Sequence, residues 1–302
     1  MTDMLVVGSL ALDTIHNAQG THEQVLGGSA TFASLAGAFY TGVKLVGVVG
    51  TDFPDSAVQD LRKRGVDTSG MEVAEGKTFH WEGRYTDDLT ARETIATDLN
   101  VLADFDPKIP EAFRDTPYVM LGNIAPELQL SVLDQIREPK LVIADTMNFW
   151  IDGALDSLKK LMKRVDVLVI NEEEARQLSG RHHLIHVAAE LIDMGPSTLV
   201  IKQGEYGAWL FAGEDVFSAP AFLLEAKDPT GAGDSFAGGF LGYVAQQNST
   251  SPETLRSAVI HGSALASFCV EGVGAARLLE LSKDDVVARV NEFQRLVDFS
   301  HS

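Results

Sequence analysis

Residues 228–240 read DPTGAGDSFAGGF, in which two aspartates flank a glycine-rich turn that leads into an apolar segment. Gly231 and Gly233 carry no Cβ, so the backbone there can turn its N–H groups toward a ligand. A helix that begins at Gly233 adds further unpaired N–H groups and the positive end of the helix dipole. These features together predict a site for an anion such as a phosphate group.

Asp234 stands one residue inside this predicted helix. The field of the helix N-terminus favours its ionised form, which could accept a proton from an attacking hydroxyl group. The neighbouring N–H groups would then stabilise a phosphoryl group during transfer. An aspartate in the first turn also stabilises a helix without any catalytic role, so this segment alone leaves both interpretations open.

The composition limits the classes of protein to which the chain can belong. Its 302 residues carry a net charge of −19, which argues against nucleic-acid binding because that function needs a basic surface. The single cysteine, Cys269, excludes an internal disulfide framework. The N-terminus lacks the basic region of a signal peptide, and no apolar stretch reaches the length of a membrane span. We therefore expect a soluble, cytoplasmic protein with no membrane partner.

Short aliphatic runs alternate with segments of helical periodicity along most of the chain. Such runs are typical of strands that are buried on both faces of a parallel sheet. The predicted strands are MLVVG (4–8), VKLVGVVG (43–50), YVMLG (118–122), KLVIADT (140–146), VDVLVIN (165–171) and STLVIKQG (197–204). The alternation predicts a three-layer α/β fold, with a mostly parallel sheet flanked by helices.

The alternation is interrupted between residues 71 and 101. This segment is rich in threonine and aromatic residues, which predicts antiparallel β-strands inserted into the α/β frame. We expect these strands, together with a second insert near residues 12–24, to form a small sheet that serves as a lid. Residues 1–302 would then form a single domain.

Polar residues follow the predicted strands, at the edge where an open parallel sheet binds its ligands. Asn171 and Glu174 lie three residues apart at a helix start, so both side chains can face the strand ends. Glu174 could hold Mg²⁺, commonly through water, although the helix dipole alone also favours an acidic first turn. The other polar residues at this edge are Asp13, Asp145, Asn148 and Lys202.

Two common phosphate-binding fingerprints are missing. GMEVAEGKT (70–78) has five residues between its glycines, whereas the P-loop pattern requires four. No G-x-G-x-x-G follows the first strand, which argues against a dehydrogenase.

Four motifs resemble those of the ribokinase-like (PfkB) family of carbohydrate and nucleoside kinases. The matching segments are the glycine pair at 27–28, GVVGTD (47–52), the N-x-x-E motif at 171–174 and DPTGAGD (228–234). The last is similar to the family signature D-T-x-G-A-G-D, with Pro229 in place of the usual threonine. The resemblance covers essentially the whole chain.

This resemblance implies ATP-dependent phosphorylation of an alcohol group, with Asp234 as the general base. Gly231, Ala232 and Gly233 would form the anion hole, and Glu174 would hold Mg²⁺, most simply through water. The residues that the resemblance assigns to the nucleotide are Asn171, Glu174, Lys202, Gly204, Glu205, Gly207, Thr230 and Ser263. Asp228 resembles part of the monovalent-cation loop of some members, which makes K⁺ a further candidate cofactor.

The residues expected to bind the substrate that accepts the phosphoryl group depart from the family pattern. Its candidate residues are Asp13, Gly27, Gly28, Phe32, Asn123 and Asn148. Phe32 and Ala11 stand where many members carry asparagine, so two hydrogen-bonding groups for a sugar are missing.

The lid segment has an alternating aromatic face, formed by Phe79, Trp81 and Tyr85. These rings could form a small lid core, contact a second lid in a homodimer, or stack on a sugar ring or nucleobase. Arg84 and Arg92 could bind an anionic group of the substrate or only solvate the lid.

The favoured function is therefore a small-molecule kinase that acts on a sugar or sugar derivative. A nucleoside kinase on the same scaffold is the alternative, and the aromatic lid shifts some weight toward it. A catalytically silent, ligand-binding regulator is a third hypothesis, against which the intact Asp234 and glycine turn argue.

Overall fold

The computed structural model describes residues 2–86, 88–89 and 91–298. The strands in this part of the chain are β1 (Met4–Val7), β2 (Ala11–Asn17), β3 (Gly20–Gly27), β4 (Val43–Gly50), β5 (Val66–Ala74), β6 (His80–Tyr85), β7 (Arg92–Asp98), β8 (Tyr118–Leu121), β9 (Leu141–Asp145), β10 (Val167–Asn171), β11 (Thr198–Lys202), β12 (Ala208–Ala212) and β13 (Asp215–Ala219). They form a large sheet in the order β13-β12-β11-β10-β9-β8-β1-β4-β5 and a small sheet in the order β3-β2-β6-β7.

Helices cover both faces of the large sheet. They are α1 (Ser29–Gly37), α2 (Asp55–Lys63), α3 (Pro126–Leu133), α4 (Asn148–Gly153), α5 (Leu155–Met162), α6 (Glu172–Ser179), α7 (Leu184–Asp193), α8 (Ala232–Gln247), α9 (Pro252–Cys269), α10 (Ala276–Glu280) and α11 (Lys283–Val297). Among the described residues, no helix is both long and apolar enough to span a membrane.

Two separate hydrophobic cores lie on opposite faces of the large sheet. Successive residues of one strand point to opposite faces, so Val167 and Val169 of β10 enter one core while Leu168 and Ile170 enter the other. This double burial explains why the inner strands read as unbroken aliphatic runs. The predicted three-layer α/β fold with a small inserted sheet is confirmed.

The small sheet, which we call the lid, begins later in the chain than the sequence predicted. Residues 71–74 extend β5, which pairs in parallel with β4 of the large sheet. Because β5 lies at the sheet edge and is half exposed, it lacks the apolar run of an inner strand. The lid also contains one parallel pair, β2 with β6, where we expected only antiparallel pairs.

The position of the lid follows from the short connections at its base. β1 leads into β2 after a few residues, and α1 begins directly after β3. Leu12 N also donates to Phe79 O at 3.1 Å, which joins the two lid segments. The lid therefore stands at the carboxyl edge of the large sheet, where the predicted ligand site lies.

Close packing of α1 against α8 holds the two glycine-rich loops at this edge. A Cβ at Gly238 would overlap the backbone of Ala33, and a Cβ at Gly242 would lie 2.9 Å from Gly37 Cα. The later glycines of DPTGAGDSFAGGF thus let two helices approach at backbone distance. Because α1 starts at the 27–28 glycine pair and α8 at the 231–233 turn, this contact brings both turns together.

Candidate active site

The glycine turn leads directly into α8. Gly231 adopts a left-handed conformation, with φ of 76°, and is the N-cap residue, with no side chain capping the helix. Ala232 N donates to Pro229 O at 3.2 Å and so closes the turn. The N–H groups of Gly231 and Gly233 form no hydrogen bond with other described residues. Two of the three predicted anion-hole amides are therefore available to a ligand.

The Phe32 ring packs against Gly231 of this turn. Its side chain is only 1% exposed, and a Cβ at Gly231 would overlap its ring. The sequence predicted Phe32 as a substrate contact, but the structure packs its ring against the turn at residues 230–233, which we call the anion loop. Its apolar ring fills the space that the missing Cβ leaves, so we now assign it a packing role.

Asp234 is half-buried in the first turn of α8, and its buried Oδ1 atom has no hydrogen-bond partner among the described residues. Burial, followed by the neighbouring Asp145 carboxylate, raises the pKa of Asp234 to about 7, and Lys202 opposes this rise. A buried carboxylate oxygen without a hydrogen-bond partner is costly unless it serves a function. With a pKa near neutrality it is suited to accept a proton.

Lys202 is the cation at the centre of the site. Its Nζ atom lies 3.3 Å from Asp145 Oδ1, and a Cβ at Gly233 would approach the same Nζ to 2.7 Å. Burial alone would lower the pKa of Lys202, but the carboxylates of Asp145 and Glu174 raise it. The ammonium group therefore remains charged beside the anion loop. The sequence placed Asp145 at this edge without assigning it the role of holding Lys202.

Asn171 and Glu174 cap the start of α6 reciprocally. Glu174 N donates to Asn171 Oδ1 at 2.8 Å, and Asn171 N donates to Glu174 Oε2 at 3.2 Å. Burial raises the pKa of Glu174 to about 7. One carboxylate oxygen of Glu174 is thus used by the cap, and the other remains for a ligand.

The charge at this edge suits a divalent cation bound through water, since no three acidic, histidine or cysteine side chains among the described residues converge to hold a metal ion directly. Asp145, Glu174 and Asp234 act electrostatically on one another, and Lys202 is the positive charge that lowers the pKa of both Glu174 and Asp234. Three carboxyl groups against one ammonium leave an excess of negative charge when all are ionised. A hydrated Mg²⁺ would offset this excess through water, as the sequence predicted for Glu174.

Asp13 occupies the acceptor side of the site, on β2. It is buried, and its Oδ1 atom accepts a hydrogen bond from Trp81 N at 3.2 Å. Burial, together with smaller contributions from the Asp228 and Asp234 carboxylates, raises the pKa of Asp13 to about 7. A Cβ at Gly27 would overlap the Asp13 carboxylate, so Gly27 makes room for this acid. Gly28, with φ of 94°, lies against the backbone of residues 9–11.

Asn123 and Asn148 occupy different surroundings. Asn123 accepts a hydrogen bond from Trp150 Nε1 at 2.8 Å, and its amide lies 2.9 Å from Met147 Sδ. Asn148 turns its side chain onto the backbone of α4, where Oδ1 accepts from Phe149 N at 3.0 Å. Asn123 is therefore tied to an aromatic side chain, whereas Asn148 acts locally at its helix start.

Asp228 fastens the anion loop to the loop before α10. It is fully buried, and its two carboxylate oxygens accept from Thr230 N and Gly274 N, both at 2.9 Å. Burial raises the pKa of this carboxyl group above its ordinary value. Both oxygens are thus already satisfied by protein donors, so a K⁺ role for Asp228 stays a prediction.

Four further residues predicted to contact the nucleotide, Gly204, Glu205, Gly207 and Ser263, lie after β11 and on α9. Gly204 and Glu205 belong to a short 3₁₀ helix after β11, and a Cβ at Gly207 would overlap Ala219 O. Ser263 is half-buried in α9 and, within residues 91–298, forms no hydrogen bond with the other predicted site residues.

The lid contacts the anion loop directly. Tyr85, the last residue of β6, shares a hydrogen bond of 2.9 Å between its hydroxyl and Thr230 Oγ1. Trp81 packs over Gly83 and meets the Tyr85 ring edge-on at a centroid distance of 6.4 Å. The aromatic face predicted from the alternation therefore includes a direct contact with Thr230, beside the glycine turn, which the sequence did not reveal.

The chain is similar to known kinases along most of its length. Residues 1–281 match the sequence profile of the pfkB family carbohydrate kinases. The chain is 32% identical over 249 residues to the cytidine kinase of Thermococcus kodakarensis, an alignment that covers 80% of this chain and 88% of that protein.

Solved structures share the fold. The nucleoside kinase of Methanocaldococcus jannaschii, an archaeal member of the ribokinase family, aligns with a TM-score of 0.77 and 20% identity over 97% of this chain and 99% of that one. The fructokinase of Vibrio cholerae, solved with fructose, ADP and calcium ion, aligns with a TM-score of 0.78 and 19% identity over 96% and 99% of the two chains. The family match and the aligned cytidine kinase together establish that this chain is a kinase of sugars or nucleosides that belongs to the PfkB family.

Proposed function

We propose that this kinase transfers the terminal phosphoryl group of ATP to a hydroxyl group of a nucleoside. The observation that carries the chemistry is the Asp234 carboxylate, whose Oδ1 atom is buried and has no hydrogen-bond partner among the described residues, beside the free N–H groups of the glycine turn. A base and an anion site at this spacing suit the deprotonation of an alcohol and the stabilisation of a phosphoryl group.

Each protein group has a distinct part in this transfer. Asp13 accepts hydrogen bonds from hydroxyl groups of the acceptor and orients it. Asp234 takes the proton of the attacking hydroxyl as its oxygen bonds to the terminal phosphorus of ATP, and the bond from that phosphorus to the bridging oxygen breaks to release ADP. The N–H groups of Gly231 and Gly233 stabilise the charge on the transferred group, and Lys202 adds a positive charge beside them.

ATP and Mg²⁺ fit the remaining donors. Lys202 and the turn at residues 204–207 would hold the nucleotide, with Thr230 of the anion loop close to its phosphates. Glu174 would hold Mg²⁺ through water, and the bound ion would offset negative charge on the phosphate oxygens. The surplus of carboxylates around Lys202 supports this assignment.

The cytidine kinase relative and the aromatic lid support a nucleoside as the acceptor. The relative is 32% identical and spans most of both chains. The Trp81 ring belongs to the lid residue whose backbone N–H binds Asp13, and it offers a surface on which a nucleobase could stack. A free sugar is the second candidate, because Asp13 binds hydroxyl groups and needs no base to do so.

A panel of acceptors tests this proposal through ADP release. Cytidine and ribose form a matched pair, because both present ribose hydroxyl groups and only cytidine carries a base. We expect at least one of cytidine, uridine, adenosine and inosine to exceed ribose and fructose by about tenfold or more in kcat/KM. A sugar as the best acceptor would establish the second candidate. Turnover of none would favour a ligand-binding regulator.

The pH dependence of kcat/KM should report the ionisation of the base. The pKa of Asp234 is raised to about 7, and only the ionised form can accept a proton. Activity should therefore fall as the pH drops below 7, by about tenfold or more per pH unit because Asp13 and Glu174 protonate in the same range. A profile that stays flat from about pH 5.5 to 8 would contradict the assigned base. Thermal melts in the same buffers control for unfolding.

A further inference from the structure

One hydrogen bond joins the lid to the anion loop. The Tyr85 hydroxyl lies 2.9 Å from Thr230 Oγ1, and the two residues are 145 positions apart in the chain. Tyr85 is only 8% exposed, so water competes little for this hydroxyl. Because β6 ends at Tyr85, the position of the ring follows from the strand and from the Trp81 ring against it.

Thr230 forms hydrogen bonds through its backbone N–H, its carbonyl oxygen and its side-chain hydroxyl. Its backbone N–H donates to Asp228 Oδ1 at 2.9 Å, and its carbonyl oxygen accepts from Cys269 Sγ at 3.4 Å. Both of these partners belong to the α/β frame, and Tyr85 supplies the one hydrogen bond that the described part of the lid makes with Thr230. The next residue, Gly231, is the left-handed N-cap of α8. A shift of Thr230 therefore reorients the free N–H groups that follow it.

We propose that Tyr85 is a positioning residue, through which the lid holds Thr230 and thereby orients the anion loop for phosphoryl transfer. This inference rests on the proposed function, because it assumes that residues 231–233 stabilise the transferred group. Such stabilisation depends on donors placed in advance at the correct distance. A lid contact on the neighbouring residue would supply part of that placement only while the lid is closed.

The pKa of Tyr85 indicates which of the two hydroxyl groups donates in this hydrogen bond. Burial raises the pKa of Tyr85 to about 12, so the phenol stays protonated and can donate. When Tyr85 donates to Thr230 Oγ1, the Thr230 hydroxyl can in turn donate to the Asp228 carboxylate, a hydrogen bond that lowers the pKa of Asp228 against the effect of burial.

A double-mutant cycle on kcat tests the contact. Tyr85→Phe and Thr230→Val each remove one hydroxyl and keep the size of the side chain. Each should lower kcat by about 3- to 10-fold, as expected for one neutral hydrogen bond, and the double variant should be no worse than about the poorer single one. Thr230→Ser, which keeps the hydroxyl, should restore most of the activity.

Tyr118→Phe is the matched control for the loss of a buried phenol hydroxyl. The Tyr118 hydroxyl donates to Asn248 Oδ1 at 2.9 Å, and Tyr118 starts β8, at the end of the strand away from the site. We expect its kcat to stay within about twofold of the wild type. Effects of Tyr85→Phe and Thr230→Val that multiply in the double variant, or a Tyr85→Phe kcat within about twofold of wild type, would overturn the proposal.

Hydrogen–deuterium exchange of the ligand-free protein gives a second readout that needs no acceptor. Tyr85→Phe should accelerate exchange in the peptide that covers residues 228–236 and leave α11 unchanged, whereas Tyr118→Phe should change neither. If every acceptor fails while this exchange responds, the proposed function is wrong and the contact between lid and loop stands. If turnover is normal and the exchange does not respond, the role of Tyr85 is wrong and the proposed function stands.

Discussion

Asp234→Asn is expected to lower kcat by roughly 10²- to 10⁴-fold, the usual cost of losing a general base. Asparagine keeps the size of the side chain and cannot take a proton. Because Asp234 Oδ1 makes no hydrogen bond within the described residues, the substitution leaves no donor at that atom without its partner, although it removes the attraction to Lys202. The measurement is a single-turnover and steady-state assay with the best acceptor of the panel.

The stability of the same variant separates loss of the base from misfolding. Burial and the Asp145 carboxylate raise the folded-state pKa of Asp234 to about 7. A carboxyl group whose pKa rises on folding destabilises the folded state when it is ionised, and this cost is present above about pH 7 and vanishes below about pH 4. Asp234→Asn should therefore raise the thermal midpoint at about pH 8 and change it much less at about pH 4.5.

Asp284→Asn is a matched control for the loss of a first-turn aspartate. Asp284 is exposed in the first turn of α11. It should leave kcat unchanged and slightly lower the thermal midpoint, because only the helix-dipole interaction is lost. A near-wild-type kcat for Asp234→Asn would contradict the assigned base.

Gly231→Ala is expected to lower kcat by roughly 10²-fold, comparable to the loss of one anion-hole donor. The new Cβ would overlap the Phe32 ring, which is buried and has no room to move away. The turn would have to shift, and the free N–H groups beside it would lose their direction. The left-handed φ of 76° adds about 1 kcal/mol of strain for a residue other than glycine.

Gly213→Ala is a control that separates the backbone strain of a left-handed alanine from the overlap of its Cβ with a neighbouring side chain. Gly213, in the turn between β12 and β13, also has a left-handed φ, of 61°, but a Cβ there would meet nothing within 4 Å. We expect the backbone strain to lower the stability of both variants, with a larger loss in Gly231→Ala because of the overlap, and a loss of kcat only in Gly231→Ala. Equal kcat values for the two variants would contradict the proposed role of the 231–233 turn. Urea unfolding and the ADP-release assay supply the two measurements.

The inner strands could be located from the sequence because burial on both faces leaves unbroken aliphatic runs. The same rule missed β5, an edge strand whose half-exposed residues show no such run. It also made the lid too long, since residues 71–74 look like lid strands until their pairing with β4 is known. Strand pairing joins residues that are distant in the chain, so local composition does not determine it.

The sequence by itself located the residues on which the proposed chemistry depends: Asp234, the glycine turn before it and the acid–amide pair at residues 171–174. These assignments depend on residue type and local spacing, which short-range geometry fixes. Only the tertiary structure decided what surrounds them. It packed the Phe32 ring against the anion loop, paired Asp145 with Lys202, and joined Tyr85 to Thr230 by a hydrogen bond. Each of these contacts links segments far apart in the chain, so it arises only when the packing of helices and sheets brings them together.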